Sequence, residues 1–244
     1  MAGKGGTGKT TIAALIIRGI KENKLGSILA IDADPNSNLG EILGVKDKSS
    51  VGTILDDLSS APDKIPLGMA KERFIQYEIQ SAIAEGDGFD LLSMGKPEGP
   101  GCYCYLNNCL RAVMDQLIKD YDYIVIDNEA GLEHLSRRTI RYADSLVVVS
   151  DASNVGLKSA QRIKELTMQL KFEVKRSGLL INRFNKNIDK ERIKETKLDY
   201  LGSLPFEDEL EELSLTNQSI FSLKFTTPVL KIFDTLGEKI WKRS

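Results

Sequence analysis

The segment GKGGTGKTT, residues 3–11, constrains this chain more than any other. It satisfies G-x-x-x-x-G-K-[ST] with Gly3, Gly8, Lys9 and Thr10. A loop of this kind lets the backbone N–H groups of Gly3, Lys4, Gly5, Gly6, Thr7 and Gly8 curl around phosphate oxygens. A helix beginning near Thr10 and Thr11 adds its positive N-terminal end. Lys9 is placed to reach the β- and γ-phosphates of a nucleotide, and the Thr10 hydroxyl to coordinate Mg²⁺. Such a loop belongs between a buried strand and a helix, so it dictates an α/β architecture.

The rest of the chain agrees. Short apolar runs read as strands: 27–32, 89–94, 123–127, 145–150, 177–182 and 201–205. Continuous apolar runs of this length fit strands buried on both faces of a parallel sheet. Helical patterns separate them, at 10–23, 67–85, 106–120, 154–170 and 228–243, and residues 45–66 read as surface loops with a short helix. The alternation predicts a doubly wound, mostly parallel sheet of the P-loop NTPase type, as one domain over residues 1–244. Only Met1 and Ala2 precede the loop, where a central strand of about five residues is expected. The first strand is therefore expected to be truncated here, with a loss of stability.

Composition narrows the function classes. With 33 Lys+Arg against 35 Asp+Glu, the net charge of −2 offers no global basic field to recruit nucleic acid or anionic membrane. No apolar run reaches the ~20 residues of a membrane span. Three cysteines do not make a disulfide framework, so the chain is expected in the cytoplasm with its thiols reduced.

Carboxylates follow where a nucleotide site needs them. Asp32 ends an apolar strand in IDADPN with Asp34 two residues on, and Asp127 ends another in YIVIDNEAG. Strand ends of this kind form the rim where ligands bind in open α/β sheets. Phosphoryl transfer needs positioning and charge neutralisation more than a strong base, so Mg²⁺, lysines and poised carboxylates suffice. Lys4 adds a second lysine just after the first glycine. The loop therefore resembles the deviant Walker A pattern (KGGxGKT) of the MinD/ParA/nitrogenase-iron-protein family. That resemblance implies that Lys4 reaches across a homodimer interface to the partner's nucleotide. It implies that Asp34, at the switch I position, orients the attacking water, and that Asp32 supports the water shell of Mg²⁺. Asp127 and Gly131 would form the D-x-x-A-G switch II. Asn182, with Pro205 and Phe206, would lie near the base, with adenine the better match.

The stretch GPGCYCYLNN, residues 99–108, carries Cys102 and Cys104. In extended backbone, residues i and i+2 point to one side, so the pair can present two sulfurs together. Soft metals such as Zn²⁺ or Ni²⁺ usually take four thiolate or imidazole ligands. Two such pairs facing each other across a twofold axis would supply them, at the same kind of interface that Lys4 suggests. Together GPGCYCY, KGGTGKT, IDADPNSNLG and DNEAGLEHLSRRT resemble the CooC-type ATPases. The resemblance implies an ATP-dependent metallochaperone: a homodimer that hydrolyses ATP to ADP and inserts nickel into carbon monoxide dehydrogenase or acetyl-CoA synthase. Nickel, or zinc in its absence, would bind at Cys102 and Cys104, with no nucleic acid or membrane as partner. Cys109, inside a helical run, reads as a small buried hydrophobe, and His134 as packing beside switch II.

Two further readings stay open. An iron–sulfur reductase like the nitrogenase iron protein would share the ATPase site and hold a cluster at the same seam. It would want a cysteine near switch II, where residues 127–131 read DNEAG. A MinD/ParA-type positioning ATPase in its membrane version would use an amphipathic C-terminal helix, but the stripe Val229, Ile232, Phe233, Leu236, Ile240 and Trp241 is more often the last helix docking on the core, and that reading leaves the two cysteines unexplained.

Overall fold

The computed structural model describes residues 1–61, 64–95, 104–129, 142–186 and 188–224, together with Leu230, Gly237, Lys239 and Ile240. Eight strands and eight α-helices are described among them: β1 (Ala2–Gly3), α1 (Lys9–Glu22), β2 (Ile28–Ala33), α2 (Leu39–Leu43), α3 (Val51–Ser60), α4 (Lys71–Ala82), β3 (Ala84–Glu85), β4 (Asp90–Ser93), α5 (Cys104–Asp120), β5 (Tyr123–Asn128), β6 (Tyr142–Ser150), α6 (Asn154–Gln169), β7 (Glu173–Ile181), α7 (Lys190–Glu195), β8 (Asp199–Ser203) and α8 (Asp208–Thr216). A 3₁₀ turn follows at Ile220–Ser222.

The strands form two runs, β3-β4-β2-β5 and β1-β6-β7-β8. Every pairing is parallel except that of β3 with β4. The expected doubly wound, mostly parallel sheet is thus the observed one. The two runs meet at the short β1. The Met1 nitrogen donates to Ile126 O, and Asn128 Nδ2 donates to Met1 O at 2.8 Å, while Ala2 and Gly3 pair with Val148 and Val149.

Alternation along β2 shows why its whole run is apolar. Ile28 and Ala30 pack with α1 residues Leu15, Ile16 and Ile20, whereas Leu29 and Ile31 face α3, α4 and α5 through Leu55, Ile75 and Met114. A third cluster lies between β6, β7 and α6. Both faces are covered, as a parallel sheet requires.

Boundaries shift where local chemistry intervenes. The helix expected from 67 begins only at Lys71, after Gly68 takes a left-handed φ of 85°. Residues 84–85, read as its last turn, instead form the antiparallel β3. The strand expected at 201–205 runs instead from Asp199 to Ser203; Leu204 N donates the last ladder bond, to Ile181 O at 2.8 Å, and Pro205 has no N–H to continue it. Within 45–66 the short helix is α3, capped by Ser50 Oγ accepting from Thr53 N at 3.1 Å. Most of the expected C-terminal helix, 228–243, lies outside the described residues, although Leu230, Gly237, Lys239 and Ile240 are helical. Among the described residues no helix is long and apolar enough to cross a membrane.

Candidate functional site

The carboxyl ends of β1, β2, β5 and β7 converge on the phosphate loop. Gly8 caps α1 with φ 86°, and a Cβ there would lie 2.5 Å from Asn182 Nδ2. Conformation and space both demand glycine. The first intrahelical bond is Ile12 N to Gly8 O at 3.0 Å, and no side chain caps the helix. The amides ahead of Ile12 are therefore without helical acceptors, beside the positive end of a 14-residue helix dipole. That combination is an anion receptor.

The two lysines are placed differently. Lys9 is only 8% exposed, and its Nζ lies 3.4 Å from Lys4 O, a carbonyl that also accepts from Thr7 Oγ1 at 2.8 Å. Its charge is thus held over the loop it follows. Lys4 is exposed and does not line the cleft in front of the loop.

Asp32 and Asp127 are register partners on adjacent strands. Asp32 Oδ1 accepts from Asp34 N at 3.0 Å and Oδ2 from Leu39 N at 2.8 Å, so this carboxylate ties together the loop from β2 to α2. Burial lifts its pKa to about 7, against the pull of those two N–H donors, and the Asp127 and Asp47 charges lift it further. Asp34 sits on the cleft wall, its Oδ1 accepting from Asn36 N and Nδ2 at 2.9 and 3.0 Å. Asp127 is pushed up by burial, opposed by a hydrogen bond from Thr10 and the charges of the N-terminus and Lys9. Its Oδ1 is buried without a partner. An orphaned carboxylate oxygen beside a threonine hydroxyl is what a Mg²⁺ ion carrying its own waters would satisfy, so the donor set fits that metal.

The cleft measures about 590 Å³ and is lined by the phosphate loop and Asp34 on one side. Glu129, Arg183, Leu210, Asn217 and Gln218 supply much of the remainder. The volume is in the range of small-ligand sites. Asn182 lies behind the loop: its Nδ2 donates to Thr7 O at 2.9 Å and its Oδ1 accepts from Arg183 N at 3.0 Å. Pro205 and Phe206 do not line the cleft, and the next helix, α8, contributes Leu210 and Leu213 instead. Sequence reading passed over Arg183, Glu129 and the 217–218 pair. Arg183 follows the strand-ending Asn182 directly, a rim position that signals a ligand contact, whereas nothing local marks Asn217 or Gln218.

Cys104 opens α5, but Cys102, Gly131 and His134 lie outside the described residues, as do the side chains of Cys104 and Cys109. Ser93 is in register with Asp32 at the rim, and α5 runs back to Asp120 just ahead of β5. The start of α5 thus lies toward the rim that carries the phosphate loop. Among the described residues no group of three or more His, Cys, Asp or Glu forms a metal site.

The model of the CobQ/CobB/MinD/ParA nucleotide binding domain matches residues 1–220. An uncharacterized ATP-binding protein of Methanocaldococcus jannaschii is 41% identical, over 98% of this chain and 96% of that protein. The carbon monoxide dehydrogenase accessory protein CooC of Rhodospirillum rubrum is 28% identical, over 91% of this chain and 89% of its own. Among solved structures, the septum site-determining protein MinD complexed with Mg-ADP from Pyrococcus horikoshii superposes with a TM-score of 0.70 at 22% identity, covering 98% of this chain and 93% of that one.

Proposed function

Since the chain belongs to the CobQ/CobB/MinD/ParA nucleotide-binding family of P-loop ATPases, we propose that it is an ATP-driven metallochaperone. It hydrolyses ATP in a nucleotide-switched homodimer and delivers nickel to carbon monoxide dehydrogenase or acetyl-CoA synthase. The observation that carries this reading is one chain holding both a two-lysine phosphate loop and the Cys102-x-Cys104 pair. The similarity to CooC supports it.

The chemistry follows from the residues. Loop amides 3–11 and Lys9 bind the β- and γ-phosphates and spread their charge. Thr10 and Asp127 would hold Mg²⁺, directly or through its waters, with Asp32 fixing the adjoining loop; the ion supplies charge neutralisation on the phosphates. Asp34, on the cleft wall beside the loop, orients the attacking water. Lys4, turned away from its own cleft, completes the charge set of the partner's site. Leu210 and Leu213 offer apolar wall to the base, and Asn182 braces the loop from behind. Nickel is cargo, taken by Cys102 and Cys104 together with the same pair of the second subunit.

Metal titration with mass measurement, with and without nucleotide, tests the proposal on the intact chain and on Cys102→Ser and Cys104→Ser. One nickel or zinc per dimer is expected, lost in either variant. Metal binding that persists in both variants refutes the site. A band near 400 nm after anaerobic purification would instead support the iron–sulfur reductase reading (roughly, from cluster chemistry). ATP-dependent sedimentation with liposomes would support a positioning ATPase.

A further inference from the structure

The cleft in front of the phosphate loop carries two carboxamides that the chain itself leaves unused. Asn217 and Gln218 both line it and are exposed, and among the described residues neither side chain has a hydrogen-bond partner in the protein. Their backbone, by contrast, is tightly held. Asn217 closes α8 in a left-handed turn, φ 51° and ψ 34°, and Gln218 N donates to Leu213 O at 3.2 Å. Arg18, in the middle of α1, donates to carbonyls just beyond them, Ile220 O and, at 2.9 Å, Leu223 O. A Cβ on Gly44, which ends α2, would lie 3.0 Å from Ser219 Cβ, so α2 closes against the same turn. Fixed backbone bearing free side-chain donors and acceptors is a preorganised recognition edge.

The surroundings define what such an edge can meet. Leu210, Leu213 and Asn217 follow one another at helical spacing, so one stripe of α8 carries two apolar side chains and ends in a carboxamide. Ile42 and Ile220 add apolar wall. A flat apolar group with a polar rim fits this lining. The cations lie toward the phosphate loop: Lys9 over the loop itself, and Arg183 directly after Asn182, whose Nδ2 donates to Thr7 O at 2.9 Å. Asn182 also accepts at Oδ1 from Arg183 N, so both ends of its amide are engaged. We propose that Asn217 and Gln218 read the edge of the nucleotide base and set the selectivity of this cleft for adenine. A carboxamide presents a donor beside an acceptor, which matches N7 and N6–H of adenine, whereas N7 and O6 of guanine are both acceptors. Arg183 is the competing reader, because a guanidinium matches that guanine pair; its place beside Thr7 puts it with the phosphates. This assignment rests on the nucleotide site proposed above and adds which residues choose the base.

The test measures calorimetric binding of Mg-ADP, Mg-GDP and inorganic tripolyphosphate to the intact chain, to Asn217→Gly, to Gln218→Met and to the double variant. Glycine keeps the left-handed turn and methionine keeps the side-chain length, so each change removes the amide alone. The intact chain is expected to prefer ADP over GDP by about 10- to 100-fold. The double variant is expected to lose most of that preference and each single variant part of it, with the loss falling on ADP. Tripolyphosphate affinity and melting temperature should stay unchanged in all three. A preference that survives in the double variant would overturn the proposal, as would GDP binding to the intact chain as tightly as ADP. Loss of tripolyphosphate affinity in step with ADP would mark the turn as structural and overturn it equally. Tripolyphosphate that fails to bind even the intact chain would remove the nucleotide site itself, a failure distinct from that of the two amides.

Discussion

At the residue scale, Asp32 makes the sharpest demand. Its carboxyl has no exposure, and its folded pKa of about 7 stands above the ordinary 3.8. A raised carboxyl binds its proton more tightly in the folded state than in the unfolded one. Between about pH 4 and 7 the folded chain therefore holds the extra proton, and stability falls as pH rises through that window. Without nucleotide and in chelator, the melting temperature should decline from pH 4.5 to 6, below the range where the N-terminal ammonium, lowered to about 6, acts the other way, and Asp32→Asn should reduce that slope, leaving the share of Asp127, which burial also raises. The variant loses part of one backbone acceptor, so its absolute stability is not the readout. An unchanged slope would mean that Asp32 does not titrate there. The residues legible in the sequence were those whose chemistry is local. The phosphate loop and the strand-ending Asp32 and Asp127 each sit within a few residues of the pattern that betrays them. Asn182 was visible as a strand end, yet its partner Thr7 lies 175 positions away. No local pattern reports that distance.

At the element scale, α1 is held by more than its apolar face. Arg18 is 1% exposed in the middle of that helix; it pairs with Glu22 at 2.6 Å and donates to Ile220 O and, at 2.9 Å, to Leu223 O. Those carbonyls belong to the first residue of the 3₁₀ turn and to the residue that caps it, just after Asn217 and Gln218 on the cleft wall. The phosphate-loop helix and the far wall of the cleft are thus fastened by one guanidinium. Arg18→Met keeps most of the stem but strands two buried carbonyls and the Glu22 carboxylate. A loss of about 3 kcal/mol is expected. For a chain of this size that is a drop in Tm of about 6–12 °C. Denaturant melts would check it, and a loss below about 1 kcal/mol would show that the turn is held by its apolar contacts alone. Helix α1 itself was legible from its period. Nothing in that period marks Arg18 as buried, because the segment that covers it is more than 200 residues away. The short α2, α7 and α8, of 5, 6 and 9 residues, left too few turns for a period to register.

At the scale of the whole molecule, the proposed homodimer assigns the two lysines separate tasks, binding to Lys9 and assembly to Lys4. Lys9 lines its own cleft, whereas Lys4 is exposed and does not line it. Lys4→Ala should leave nucleotide affinity within about threefold, while losing the nucleotide-dependent dimer and lowering kcat by about 10²-fold or more. Lys9→Ala should lose binding itself. Light scattering with a non-hydrolysable ATP analogue, alongside equilibrium binding, distinguishes the two. A Lys4→Ala chain that still dimerises and turns over normally would remove the cross-subunit role. Fold class was legible at this scale because apolar runs and helical periods alternate over the whole length. The seam between the two strand runs was not, because a two-residue strand has no periodicity to read.

That seam has a mechanical consequence. Two plates of four strands each are welded along residues 1–3, and the weld continues without a break into the phosphate loop. The loop is pinned to one plate by Asn182, at the end of β7, and reaches the other through Thr10 and Asp127, at the end of β5. A polyanion gripped by the loop therefore acts as a brace across the joint and resists shear of one plate past the other.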